Sequence, residues 1–393
     1  MHVRRILSRV SPLWNLVLIL LMAGLALPAK SQTFTVLHAF KGGPTDGGTP
    51  HGGVIDVGGN LFGTTTVGGA NIIGGTVYKL SSSGAQTIIY NFQGGSDGEN
   101  PYAGLVRDKS NNGYGTTESG GATAGVVFKI NSHGNETVFY TFKGAADGWF
   151  PTTSLIVDPA GNLYGTLPSG GDFAIGSVDK FDSGGNVTPL HQFAGGTDGS
   201  TPQAPLVRDS AGNLYGTTQY GGYSIGYGTV FKIDASGNET VLYRFTGGAD
   251  GSNPVAGLVL DGRGNLYGTT QFGGNFTACP NVGCGVVFRL SPSGKETVLY
   301  SFAGGNNDGA GPIAGLTLGK AKLYGTTARG GASGRGTIFE IDGIGKEKVL
   351  HFFNGTDGAY PDCTLAIDGA GHLYGTAPEE GANFYGTVFE LVP

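Results

Sequence analysis

The sequence predicts an all-β fold, a seven-bladed β-propeller of four-stranded antiparallel blades closed by its own N-terminal strand. Three observations predict it. One unit of about fifty residues recurs seven times along the 393-residue chain. Each unit holds four short runs rich in Val, Leu, Tyr, Phe and Thr, bounded by Gly, Asn, Asp or Ser, which is strand-and-turn chemistry. The two ends of the chain carry complementary parts of one unit.

The first element of a unit reads Gly-Leu-Val-Leu-Asp, as at 257–261, and is the expected inner strand. The second reads Leu-Tyr-Gly-Thr-Thr. Its glycines are Gly63, Gly115, Gly165, Gly216, Gly268, Gly325 and Gly375, spaced by 52, 50, 51, 52, 57 and 50 residues. The long interval contains Cys279 and Cys284, so one unit carries an insertion. Leu167 and Ala377 replace the final Thr in two units. The third element reads Gly-Thr-Val-Phe-Lys-Ile, as at 228–233. The fourth reads Glu-Thr-Val-Leu-Tyr-Ser-Phe, as at 296–302, and is the expected outer strand. Turns such as Asp-Gly-Arg-Gly-Asn at 261–265 supply the positive φ that tight hairpins need. The strands alternate only weakly, as expected where blades stack and both faces are buried. The last unit stops after its third element, at Pro393, and residues 33–40 match the missing fourth. Pairing the two removes the open edge of an unclosed array.

Glycine is 76 of 393 residues, but it recurs at fixed offsets between apolar runs and is not low complexity. The start differs from the rest. Arg4, Arg5 and Arg9 precede an apolar stretch from Leu13 to Leu27, followed by small residues at Ala29 and Ser31. That is the layout of a secretory leader over residues 1–31, too short for a membrane span. The expected product is a secreted, extracellular propeller over residues 32–393, a monomer with no membrane span. Without Arg4, Arg5, Arg9 and Lys30 the chain keeps 19 basic residues against 29 acidic, a net charge of −10. An acidic chain without basic clusters excludes nucleic acid and anionic membranes as expected partners.

Gly-Asn-Leu-Tyr-Gly-Thr-Thr, Gly-Thr-Val-Phe-Lys-Ile, Glu-Thr-Val-Leu-Tyr and Phe-x-Gly-Gly-x-Asp-Gly-x-x-Pro, in that order, resemble the Gloeobacter/Verrucomicrobia (GloVer) tandem repeat of "choice-of-anchor" surface proteins. The resemblance covers nearly all of residues 32–393. It implies an exported bacterial protein and carries no activity with it. The chain ends without the sorting segment of anchored members, so release is expected rather than surface attachment.

With Gly-Leu-Val-Leu-Asp innermost, two long loops per unit share one face. One joins the outer strand to the next inner strand; the other joins the two middle strands. Binding is expected on that face, because functional side chains concentrate on long loops over a rigid scaffold. Its exposed aromatic and basic residues are the candidate ligand-binding set: Trp149, Tyr220, Tyr223, Tyr227, Phe272, Arg329 and Phe384. The Asp of each Asp-Gly loop, from Asp46 to Asp357, is read as an acceptor within its own turn, since calcium loops bring several oxygen ligands together. His38, His191 and His351 stand where other units have Tyr in the outer strand and are read as packing residues. Gly222–Gly226 matches Gly-x-Ser-x-Gly, but no strand-to-helix turn is expected there. No catalytic residue, metal ligand set or cofactor is assigned. Cys279 and Cys284 are candidates for a local disulfide, and Cys363 for a buried thiol.

The first functional expectation is a non-catalytic extracellular module that recognises a polysaccharide or protein through the long-loop face. The competing one is an enzyme, a hydrolase or lyase acting on an extracellular polysaccharide or small ligand, with carboxylates near the central funnel. A third is a structural spacer with no pocket. Convergent pKa-shifted groups in one pocket favour the enzyme, and a broad aromatic patch favours binding.

Overall fold

A computed structural model describes residues 32–223 and 226–393; the predicted leader, residues 1–31, lies outside the described residues. The described chain is all-β, with one short 3-10 turn at Ala145–Asp147. Seven four-stranded antiparallel sheets follow one another. The fifth blade is typical: Val259–Leu260, Leu266–Thr270, Val286–Leu290 and Glu296–Ser301, from the axis outward. Inner strands of neighbouring blades meet around the axis.

Closure follows the expectation. Thr33–Ala39 pairs antiparallel with Thr387–Val392, from Thr33 opposite Val392 to Ala39 opposite Thr387. The register breaks between Val36 and His38. The fifth blade shows the same break, where Phe288 faces Val298 and Val287 faces Tyr300. The N-terminal strand therefore reproduces the bulge of a covalently continuous outer strand. Residue 37 falls in that bulge as Leu299 does in blade five, and both pack into blade cores.

Blade faces are joined by a ring of aromatic pairs. Phe40, Phe92, Phe193, Phe245, Phe302 and Phe353 each follow an outer strand and meet Tyr78, Phe128, Phe231, Phe288, Phe339 and Phe389 of the next blade. Centroids lie 5.0–5.4 Å apart in edge-to-face geometry. Each contact contributes about 0.5–1.5 kcal/mol beyond its burial. The glycine of Leu-Tyr-Gly-Thr-Thr exists for these rings: a Cβ on Gly216 would lie 2.5 Å from Phe231, and one on Gly325 2.5 Å from Phe339. Blade three departs from the rule. Asp179 takes the aromatic position, and Phe181, two residues on, packs against Phe142 at 6.0 Å instead.

The first Thr of each Gly-Thr-Thr also has a task. Its hydroxyl donates to a backbone carbonyl at the start of the next blade: Thr64 to Ala103, Thr166 to Ala204, Thr217 to Ala256, and finally Thr376 to Gly52. The inner element is shorter than the five-residue run the sequence suggests. Only two or three of its residues ladder with the second strand, because the preceding carbonyls are turned to these Thr hydroxyls.

Candidate functional site

The loops that enter each blade are built alike. The Asp of Asp-Gly accepts backbone N–H groups of its own loop, as Asp97 does from Gln93 at 2.9 Å and Asp250 from Thr246 at 2.8 Å. That matches the turn reading. A second partner comes from the outer strand: Tyr90, Tyr243 and Tyr300 donate to Asp97, Asp250 and Asp308 at 2.9–3.0 Å. His38, His191 and His351 bond Asp46, Asp198 and Asp357 in the same place, so they clasp the loop as well as pack.

After this clasp the backbone passes through a left-handed residue directly before each Pro. Thr49, Asn100, Phe150, Thr201, Asn253 and Tyr360 have φ of 54–56°. This conformation is uncommon without glycine. It persists because each loop is held on both sides; Thr201 N–H, for example, donates to the Ile175 carbonyl of the blade before at 2.8 Å. The turn delivers the residue after Pro to the axis. The next carbonyl is the one held by the Thr hydroxyl of the preceding blade, so each rim residue is fixed from both ends.

Those seven residues are His51, Tyr102, Thr152, Gln203, Val255, Ile313 and Asp362, and they ring the central channel. The channel encloses about 990 Å³. Glu118, Gln219 and Gln271, each directly after a Thr-Thr pair, add a second tier. The two sides of the mouth differ. Blades seven, one and two supply Asp362, His51, Tyr102 and Glu118. Blades four and five supply the amides of Gln203, Gln219 and Gln271, beside Val255 and Ile313. Four carboxylates line the channel, with Asp56 and Asp368 deeper inside, and among the described residues no Lys or Arg does.

On the acidic side His51 Nδ1 lies 2.6 Å from Asp362 Oδ2. The imidazole stacks on the Tyr102 ring, with centroids 4.2 Å apart and planes within 14°. Asp362 Oδ1 is buried without a hydrogen-bond partner. Burial raises the Asp362 pKa, with His51 pulling against it. Burial, Asp362 and Glu118 together raise the Tyr102 phenol, which stays a hydroxyl at working pH. These residues were missed in the sequence, although a signal existed: the repeats keep Pro and change the residue after it in every copy.

The aromatic candidates do not line the channel. Trp149, 36 % exposed, lies over its own loop, where a Cβ on Gly144 would meet the indole at 2.3 Å. Tyr227 covers Gly247 likewise. Tyr220 and Tyr223 are half-exposed on blade four, and Phe272 bridges to Ser252 on blade five. Arg329 pairs with Ala310 on blade six, and Phe384, 81 % exposed, stands on blade seven. These residues are spread over five blades. Ser224 and Ile225 of the Gly-x-Ser-x-Gly match lie outside the described residues. Cys279 and Cys284 form a disulfide with Cα atoms 5.3 Å apart, and Cys363 is buried. Among the described residues no helix is long and apolar enough to cross a membrane.

A family profile described as the Gloeobacter/Verrucomicrobia repeat matches residues 73–280 and 277–393. No curated protein sequence matches the chain. Among solved structures, the extracellular domain of a hybrid two-component system from B. thetaiotaomicron superposes with a TM-score of 0.59 at 13 % identity. That match covers 92 % of this chain and 41 % of the other, so the chain spans about two-fifths of that protein's length. A protein named 6-phosphogluconolactonase from Bacteroides uniformis gives a TM-score of 0.52 at 14 % identity, over 77 % of this chain and 84 % of that one. Both likenesses are of fold.

Proposed function

The chain belongs to the Gloeobacter/Verrucomicrobia repeat family, and on that premise we propose that it is an extracellular recognition module that takes a glycan terminus at the long-loop mouth of its central channel. The observation that carries this reading is the make-up of the mouth. One rim position per blade varies while its supports repeat, and five of the seven varied residues carry hydrogen-bonding side chains: His51, Tyr102, Thr152, Gln203 and Asp362, with Val255 and Ile313 apolar. Hydroxyl-rich ligands need this dense mixture of acceptors and amides around a concave site. The peripheral aromatics, Tyr220, Tyr223 and Phe272 among them, would contact the rest of a longer chain. The leader-like layout of residues 1–31 and the extracellular character of the B. thetaiotaomicron domain support export.

A second reading has one observation in its favour. Asp362 carries a raised pKa in the same channel as Glu118, and a neutral acid beside a second carboxylate is the pair that glycoside hydrolysis uses.

Residues 32–393, screened against polysaccharides with product release recorded in the same assay, test both. Binding without turnover that falls in Gln203→Ala is the expected result. Turnover abolished by Asp362→Asn would replace recognition with hydrolysis. Binding that survives Gln203→Ala and Asp362→Asn unchanged would remove the channel from the reading.

A further inference from the structure

We infer that the crevice between blades one and two, among the tight hairpins, binds an organic acid: a carboxylate carried on a compact apolar body. The crevice opens at the other end of the strands from the long-loop mouth and does not depend on the glycan reading.

Two departures of blade one from the repeat create the crevice. In blade two, Tyr114 stands opposite Lys129 in the strand register, its hydroxyl donates to Asp108 Oδ2 at 3.2 Å, and the Lys129 ammonium lies over its ring. Blade four repeats this with Tyr215, Asp209 and Lys232. In blade one the same register puts Phe62 opposite Lys79 and Val57 at the place of Asp108. The hydroxyl and the carboxylate are both gone, and Lys79 makes no side-chain hydrogen bond, ion pair or ring contact among the described residues. The space left encloses about 470 Å³. Ile55, Phe62 and Ile89, the half-buried edge of the core that blades one and two share, wall it together with Ile88 and Ile130.

Charge and polarity then select the ligand. Lys79 of blade one and Arg107 and His133 of blade two enter the lining, and no Asp or Glu does, in a chain whose net charge is −6. Arg107 stands where blades three and five carry Val157 and Leu260. Its guanidinium lies over the Phe62 ring at 5.4 Å and donates to the Asn111 carbonyl at 3.1 Å, so it supplies fixed charge; Lys79 Nζ and the His133 ring are the open donors. The neighbouring acids are engaged elsewhere: Asp108 by Asn112 and Tyr114, and Glu136 by Tyr90 beside Asp97. A cation is repelled here. Inorganic phosphate leaves the apolar walls wet, and a neutral sugar meets aliphatic side chains where it needs polar partners. A carboxylate takes a charge-assisted hydrogen bond from Lys79 while an apolar body covers Phe62 and the isoleucines.

The test is calorimetric titration of residues 32–393 with three ligands of similar shape: naphthalene-2-carboxylate, naphthalene-2-carboxamide and 2-naphthylmethylammonium. The carboxylate should bind at least about tenfold more tightly than the amide, about 1.4 kcal/mol, with the ammonium weakest, and the margin should shrink as salt rises. Lys79→Glu and Arg107→Leu each install a residue that other blades carry at the same register position, as Glu340 and Leu260 do, so both variants should fold; thermal melts check this. Lys79→Glu should erase the margin of carboxylate over amide, and Arg107→Leu should reduce it. Amide binding should survive in both, because the apolar walls are kept. Equal binding of carboxylate and amide to the parent overturns the selection by charge. A margin that persists in both variants overturns the placement in this crevice. Absence of binding by all three ligands overturns the inference as a whole and leaves the glycan reading untouched.

Discussion

His51 and Asp362 are separated by 311 positions in the chain and by 2.6 Å in the fold. The pair joins the first blade to the last, at the mouth of the channel. It gains little for stability, because Asp362 is buried with one oxygen unsatisfied. Asp362→Asn should therefore leave the melting temperature unchanged or raise it while weakening ligand binding. A large fall in melting temperature would mean that the pair is a structural clasp of the ring.

Closure by the N-terminal strand gives a second expectation. Deleting residues 33–40 exposes the full edge of Thr387–Val392 and removes Phe40 from Tyr78. An open strand edge recruits other chains. The truncated protein should elute as larger species than the parent or aggregate, and a peptide of residues 32–41 added in trans should restore the parent's elution. A truncated form that elutes as the parent does, with its melt unchanged, would contradict the closure argument.

Stability should fall as pH rises through the weakly acidic range. Glu136, Glu296 and Glu347 open outer strands and sit beside Asp97, Asp250 and Asp308 of the neighbouring blade; burial, then those carboxylates, pushes each up to about 7. In the unfolded chain a Glu titrates near about 4.3. Between these values the folded state holds more protons than the unfolded one, so each step up in pH favours unfolding. The turn residues Asp108, Asp158 and Asp261 act oppositely. Hydrogen bonds outweigh their burial and lower their pKa, and the stability they add is lost only as pH falls below the usual Asp range. Calorimetric melts should peak at about pH 4–5 and decline toward neutrality. Glu136→Gln, Glu296→Gln and Glu347→Gln combined should flatten the decline; a wild-type profile already flat there sinks the idea.

Blade three carries a suboptimal core. Asp179 is buried where six blades have Phe or Tyr, its Oδ1 lacks a partner, and burial raises its pKa to about 7. Phe181 fills the gap from a position that other blades give to Leu or Ile. Asp179→Phe with Phe181→Ile restores the common pattern and should stabilise by about 1–3 kcal/mol, by removing an unsatisfied buried acid. Asp179→Phe alone crowds Phe181 and should destabilise. Equilibrium denaturation of the two variants separates these effects, and a double variant less stable than the parent would refute the account.

The ring, its strand order and its closure were legible because they are carried by residues repeated at fixed spacing. Gly216 and Phe231 imply each other in every ordinary blade, and Thr33–Ala39 announces its partner by sequence likeness. The make-up of the channel mouth was not legible for the opposite reason. His51, Tyr102, Glu118 and Asp362 fill the variable positions beside the repeated motifs, and ring closure brings Asp362 of blade seven to the other three. The aromatic candidates stand on the loops as expected but outside the channel. Trp149 and Tyr227 are large and lie on polar loops, yet the glycines beneath them, Gly144 and Gly247, make floors for their rings. The inner strands came out short because hydrogen bonding to Thr217 and its equivalents, a side-chain effect, removes residues from the ladder.

The pairing of Thr33–Ala39 with Thr387–Val392 also sets an order of events during synthesis. The segment that completes the seventh blade leaves the ribosome before any of the blades, and its partner only after the other six. At about 5–20 residues per second the wait is on the order of 20–70 s. For that time the nascent chain carries an unpaired β-edge at its front, and six blades can stack without the circle being complete. Ring closure therefore has to wait until residues 387–392 have been made. During that time residues 33–39 have to stay free of other strand edges if they are to find residues 387–392.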